Sequence, residues 1–182
     1  NDLHVKKITE LDRFAFWILP ESLFYNEGTG TLAFINGLNA NEYGTPNKTI
    51  SVYNLKTKKS TDLIKDKPQI KTPLSIALSA DASLLGLVSA DINENGFYQN
   101  FQLTILNVNE NSLVASFPLP NWQDSPTEFE LAWSKTESVL SAHIKEKIFT
   151  VKGKTITESK FSGQSLVDNS KFAYSRIYKW ES

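Results

Sequence analysis

Apolar and polar positions along this chain fall into short runs, and the order of the runs repeats. Leu23-Phe24-Tyr25 leads into a polar stretch, Asn26 to Gly30, and then into the more apolar Thr31-Leu32-Ala33-Phe34-Ile35. The same order returns at residues 76–88 and 131–142, and it begins again at 165–174. Each copy reads as a short apolar strand, a turn rich in Ser, Asp and Gly, and a second strand apolar enough for burial on both faces. A third, alternating strand follows, as in Ile50-Ser51-Val52-Tyr53, with partners at 101–108 and 147–151. Alternation at period two gives one buried and one solvated face. Polar turns at 56–59 and 109–112 then lead to fourth strands at 60–64, 113–117 and 155–161. Helical periodicity is hard to find in this stretch. The pattern predicts an all-β chain of repeated four-stranded antiparallel units.

Such units in series predict a β-propeller-like array of about four four-stranded blades, arranged as a closed small ring or as an open arc. The repeats span approximately 22–64, 74–118 and 129–162, with a partial copy at 164–180, inside a single domain of residues 1–182. In residues 1–21, Leu3-His4-Val5 and the run 14–19 read as strands. The run 14–19 is read as a buried strand completing a blade, against the alternative of an exposed partner-binding edge. Ring closure would pair the N-terminal segment with 172–177. An open arc would leave strand edges bare, which proteins normally avoid.

Two stretches carry a family resemblance. Ser79-Ala80-Asp81-Ala82-Ser83-Leu84-Leu85-Gly86-Leu87 resembles the Ser-Pro-Asp-Gly-Lys-x-Leu-Ala-Phe signature of WD40-like propeller repeats of the TolB type, with alanines where Pro and Gly stand. Val52-Tyr53-Asn54-Leu55-Lys56-Thr57-Lys58 resembles the Val-Tyr-Asp-Leu-x-Thr-Gly-Lys third strand and turn of that family. The likeness covers roughly 22–175 and is degenerate throughout, without the Gly-His and Trp-Asp dipeptides of eukaryotic WD40 repeats. It implies a propeller fold and a bacterial envelope setting. Domains of that type occur as periplasmic proteins and as the periplasmic part of membrane-bound regulators.

Bulk properties narrow the partners. The 182 residues include 19 basic and 20 acidic side chains, a formal net charge of −1. Phosphate-neutralising proteins usually carry a basic excess, so no nucleic-acid partner is expected for this domain, nor attraction to anionic lipid. No apolar run approaches the ~18 residues of a membrane span, so no direct membrane insertion is expected. Cysteine is absent, which removes disulfides and thiolate chemistry. Methionine is absent too, so Asn1 is not read as a translation start. The expected location is periplasmic or extracytoplasmic, with the cytoplasm left open.

Candidate chemistry is sparse. His4 and His143 are isolated, without the local spacing of metal ligands. No Gly-x-Ser-x-Gly elbow is present. Asp81, Asp91, Asp124 and Asp168 read as turn formers, and Glu27-Gly28-Thr29-Gly30 reads as a hairpin turn. Residues 91–96 resemble a calcium loop that lacks its closing acidic residue. Lys56, Lys58, Lys59, Lys65, Lys67 and Lys71 form a mild basic patch, read as solvated surface. No catalytic residue, metal site or cofactor is therefore expected.

Binding is expected on the face of the long loops, at 36–48 and 90–100 within repeats and at 65–73 and 119–128 between them. The turn at Lys145-Glu146 is tight by comparison. The loops carry Tyr43, Phe97, Tyr98 and Trp122, aromatics of the kind enriched at interfaces. Trp17, Trp133 and Trp180 read as core. The expected function is a non-enzymatic protein-interaction or ligand-sensing module of the bacterial envelope, with a protein partner or small ligand on that face. The alternative is an accessory propeller segment of a larger hydrolase whose catalytic residues lie outside this chain.

Overall fold

A computed structural model describes residues 23–38, 47–63, 71–122, 129–161 and 172–173. Among them the repeat pattern becomes three antiparallel sheets. The first runs in the order β1 (Leu23–Asn26), β2 (Thr31–Leu38), β3 (Asn47–Asn54) and β4 (Lys59–Asp62). The second follows as β5 (Thr72–Leu78), β6 (Leu84–Ile92), β7 (Tyr98–Asn107) and β8 (Ser112–Pro118). The third contains β9 (Glu130–Ser134), β10 (Val139–Ile144), β11 (Lys147–Lys152) and β12 (Thr155–Lys160). A fifth strand, β13 (Phe172–Ala173), pairs antiparallel with β9 at Ser134 and Trp133.

The turns form for local reasons. Gly30 takes a φ of +68° and donates its N–H to the Asn26 carbonyl at 2.9 Å, while the Asn26 side chain accepts from Thr29 N–H. In the first sheet, Asn54 Oδ1 accepts the backbone N–H groups of Lys56 and Thr57. Asn107 does the same in the second sheet with Glu110. These are Asx turns, in which a short polar side chain stands in for a backbone partner. Each hairpin between third and fourth strands then passes through a left-handed residue: Lys58 (φ 55°), Asn111 (φ 48°) and Gly153 (φ 61°).

Burial falls from the inner strands to the outer ones. Six consecutive residues of β6, from Leu85 to Ala90, are buried, so this strand is covered on both faces. The fourth strands β4 and β12 are largely exposed and carry Lys and Asp or Glu. Charged residues on an outer edge discourage further pairing. β8 exposes Leu113 and Val114 instead, with a register shift against β7 and Pro118 at its end. On the opposite edge, Pro73 sits in β5 beside a register shift, where a missing N–H removes no essential ladder bond.

Alternation along β6 sends Leu85 and Leu87 to one face and Gly86 and Val88 to the other. Gly86 admits Leu140 of the third sheet so closely that a Cβ there would lie 2.7 Å from Leu140 Cδ2. Polar bonds also cross the junctions. Asn26 Nδ2 donates to the Ser79 and Ala80 carbonyls, and Asn111 Nδ2 to the Asp62 carbonyl, joining the first and second sheets. Ser75 Oγ donates to the Phe129 carbonyl, and Trp133 Nε1 to the Ala77 carbonyl, joining the second and third.

Three expectations change. Residues 172–173 do not open a fourth sheet; they extend the third along β9. The 90–100 loop shrinks to 93–97, because a register shift between Ser89 and Asp91 lets the β6–β7 hairpin continue outward. Asp91 is consequently a strand residue rather than a turn former. The strands expected in 1–21 and the remainder of the fourth copy lie outside the described residues.

Candidate functional site

The short loop between β6 and β7 is organised by one side chain. Asn93 Oδ1 accepts the N–H groups of Asn95 and Phe97, and the Asn93 N–H donates to the Phe97 carbonyl at 2.9 Å. Gly96, at a φ of +82°, donates back to the Asn93 carbonyl. The loop is thus held by four hydrogen bonds around Asn93, and it presents Phe97 to solvent at 63% exposure. The exposed phenyl ring gains little from folding.

Beneath the loop lies a polar clasp. Lys71 Nζ reaches Asp91 Oδ2 at 2.9 Å and the Asn100 carbonyl at 2.7 Å. Asn100 Nδ2 donates to the same Asp91 oxygen, and Asn100 N–H donates to Asn121 Oδ1. Burial raises the Asp91 carboxyl, but the bonds from Lys71 and Asn100 outweigh it and hold the group below its ordinary value. The clasp ties the start of β5 to β6, β7 and the segment leaving β8. It also separates Lys71 from Lys56, Lys58 and Lys59, which sit on the β3–β4 hairpin. The ammonium beside Asp91 opposes a calcium ion at 91–96.

The four aromatic candidates end in different places. Phe97 is exposed. Tyr98 is the first residue of β7, pairs with Ile92 and packs against the core. Trp122 also packs against the core, edge-on to Phe101 at 5.2 Å and to Phe149 at 6.4 Å. Tyr43 lies outside the described residues. The structure thus brings Phe97 and Tyr98 together at one hairpin, with Trp122 in the aromatic layer below. Asn93 and Lys71, which shape this end of the second sheet, entered the sequence reading only as part of the calcium-like stretch and of the basic patch; Lys71 is instead bonded to Asp91 and the Asn100 carbonyl. Asn93 had a usable signal, because an Asn followed closely by Gly in a short loop favours an Asx turn.

Two further polar side chains are bonded to their neighbours. His143 lies on β10 with Nδ1 at 3.1 Å from Glu130 Oε2 and Nε2 at 2.6 Å from the Lys145 carbonyl, and its ring stacks on Phe161. Both ring nitrogens are engaged. Asp81 accepts from the Ser79 hydroxyl at 2.6 Å and from Ser83 N–H and hydroxyl, closing the β5–β6 turn. Those bonds, the Ser79 one first, hold its carboxyl below 3.8. Trp133 is fully buried in the core. Among the described residues no three His, Asp or Glu side chains converge as a metal site. No helix among them is long and apolar enough to cross a membrane. His4, Trp17, Trp180, Asp124, Asp168, Lys65 and Lys67 lie outside the described residues.

No protein-family model and no curated protein matches this chain. Solved structures do. The β-propeller domain of the Trilobed protease from Pyrococcus furiosus, which has an open velcro topology, superposes with a TM-score of 0.51 at 14% identity. The match covers 77% of this chain and 43% of that one. Pyrococcus horikoshii acylaminoacyl peptidase gives a TM-score of 0.50 at 13% identity, over 75% of this chain and 24% of that chain. The fold is that of a β-propeller. The WD40 domain of SCAP from fission yeast aligns at a TM-score of 0.49 and 18% identity, over 80% of this chain and 32% of that one. This chain spans less than half the length of each of these structures. The three described sheets are propeller blades; the first two have the four strands the repeat pattern predicts, and the third carries β13 in addition.

Proposed function

We propose that this chain is a non-enzymatic interaction module whose β6–β7 loop docks a protein partner, with Phe97 as the anchor. The observation that carries this reading is the pairing of a 63% exposed phenyl ring with a loop held by Asn93. A pre-ordered aromatic loses little conformational freedom on binding, and such residues are favoured as binding hot spots. The engaged ring nitrogens of His143 support the non-enzymatic part of the reading. The TolB-like turn at 79–87 supports a bacterial envelope location, on the periplasmic side, as a free protein or as part of a membrane-bound regulator.

The test is partner capture by the wild-type chain and by Phe97→Ala, from an extracytoplasmic fraction and a cytoplasmic one. A partner retained by wild type, lost by Phe97→Ala and regained with Phe97→Tyr supports the reading. Equal capture by wild type and Phe97→Ala would remove Phe97 as the anchor. Capture from the cytoplasmic fraction alone would remove the envelope location.

A second reading is favoured by the presence of two peptidases among the matching structures. There the chain would be a propeller segment accompanying a hydrolase domain, and the 97 loop would face that domain. Capture of a hydrolase through Phe97, or a hydrolase region in the same polypeptide, would select it.

A further inference from the structure

We propose that His143 is a proton-controlled latch on the third blade. Its charged form ties the β10–β11 turn to Glu130 and Phe161, and its neutral form releases one of these ties. The 97 loop belongs to the second blade, so the proposal stands independently of the docking role.

The geometry around the ring asks for two donors. Nδ1 lies 3.1 Å from Glu130 Oε2, and Nε2 lies 2.6 Å from the Lys145 carbonyl oxygen. An ionised carboxylate and a carbonyl only accept. A neutral imidazole carries one N–H and satisfies one of them, whereas the imidazolium carries two and satisfies both. The neutral ring therefore turns a bare nitrogen toward a bare oxygen, and that contact has to open. The His143 and Glu130 side chains are 20% and 24% exposed, open enough to exchange protons with solvent yet mostly withdrawn from it.

Phe161 responds to the state of the ring. Its phenyl stacks on His143 with centroids 3.8 Å apart and planes 19° apart, and its N–H donates to the Glu146 carbonyl at 2.8 Å. A cation is attracted to an aromatic face, and a neutral ring lacks that attraction. The latch thus joins β9, the turn at 145–146 and the residue that follows β12.

The surrounding charges leave the histidine as the group that switches. Cross-strand partners share a face of the sheet. Those of His143 are Glu130 on β9 and Ile148 on β11, and Ile148 in turn lies opposite Ser159 on β12. Glu130 is thus the charged group these strands turn toward the ring among the described residues, while the turn adds Lys145 and Glu146. Lys147 and Glu158 pair at 2.8 Å on the opposite face, with Lys160 across from Lys147. Lys152 and Glu137 pair at the far end of the hairpin. Carboxylates and ammonium groups ordinarily keep their charge between about pH 5 and 8, where histidine changes.

The test is an NMR titration from pH 5 to pH 8 on the ¹⁵N-labelled chain carrying His4→Gln, which leaves His143 as its one histidine. Ring nitrogen shifts count the N–H groups, and the amides of Lys145, Glu146 and Phe161 follow the latch. The ring should carry two N–H groups at the acidic end and one at the other. The Phe161 amide should trace the same curve and lose about fivefold of its protection against hydrogen exchange, after correction for the intrinsic rate. Glu130→Gln places an amide opposite Nδ1 that can donate to a bare nitrogen, so there the Phe161 amide should stop following the ring. An unchanged number of ring N–H groups across the range overturns the proposal. So does a change that the Phe161 amide does not follow, or a Phe161 response that Glu130→Gln leaves intact.

Discussion

Trp133 donates its indole N–H to the carbonyl of Ala77 at 3.0 Å, across the junction between the second and third blades. Ala77 belongs to β5, which pairs with β6 on one side and, among the described residues, has no ladder partner on the other. The indole therefore does two jobs: its ring fills the core and its N–H satisfies a carbonyl of an edge strand. Trp133→Phe keeps most of the ring and orphans the carbonyl. It should lower unfolding stability by about 1–3 kcal/mol, and Trp133→Ala by about 3–5 kcal/mol. Urea unfolding followed by circular dichroism measures both. A Trp133→Phe variant as stable as wild type would show that the bond contributes nothing.

The same junction is sensitive to one methyl group. Gly86→Ala places a carbon 2.7 Å from Leu140 Cδ2, and Leu140 is fully buried with nowhere to retreat. The substitution should cost about 1–3 kcal/mol. Leu140→Ala alone should cost about 2–5 kcal/mol. In the double variant the added methyl occupies part of the cavity, so the two losses should be less than additive. Strict additivity in denaturant melts would mean that the two residues do not meet.

Lys58 holds a left-handed φ of 55° at the position where the resembling repeat carries Gly. A non-glycine residue in that region is strained by about 1–2 kcal/mol, partly offset by the greater freedom glycine loses on folding. Lys58→Gly should therefore raise stability by up to about 1 kcal/mol, read as a higher Tm. Lys58→Ala should give no gain, because it keeps a Cβ; an equal gain from both would point to lysine charge rather than backbone strain.

Asp81 gives the domain a pH dependence of known sign. The Ser79 hydroxyl, then Ser83, hold its carboxyl below the ordinary 3.8 that applies in the unfolded chain. Its stabilising contribution is therefore complete above that value and is lost as pH falls through the lower folded value. Asp81→Ala should cost about 1 kcal/mol at pH 7. The gap from wild type should narrow on acidification through this range, in melts recorded from pH 7 to pH 2. A gap that widens toward low pH would contradict the bonding seen in the turn.

Phe97 and Trp122 should separate cleanly. Phe97→Ala removes an exposed ring and should change stability by no more than about 0.5 kcal/mol. Trp122→Ala removes a ring packed between Phe101 and Phe149 and should cost about 3–5 kcal/mol. Thermal melts of the two variants decide. A large loss at Phe97 would mean that its ring is needed for folding.

What the sequence disclosed follows the range of the forces involved. Strand order, the Asp81 turn and the hairpin at Lys145 rest on neighbours a few residues apart, and period-two alternation makes them readable. Trp133 is recognisable as core because it sits among Leu131 and Ala132 in a strand. Phe97 and Trp122 look alike in sequence, yet only contacts with Phe101 and Phe149 distinguish the packed ring from the exposed one. Asp91 was misread as a turn former because its partner, Lys71, is distant in the chain and the shift at Ser89 is invisible to alternation. The pairing of Phe172 with Ser134 is equally non-local.

The outward fall in burial also sets how freely this sequence can drift. A change in β6 is felt on both of its faces, because both are covered. A change in β4 or β12 meets mostly water. Sequence variation that preserves the domain should therefore collect on the outer strands and thin out toward the centre of the second blade.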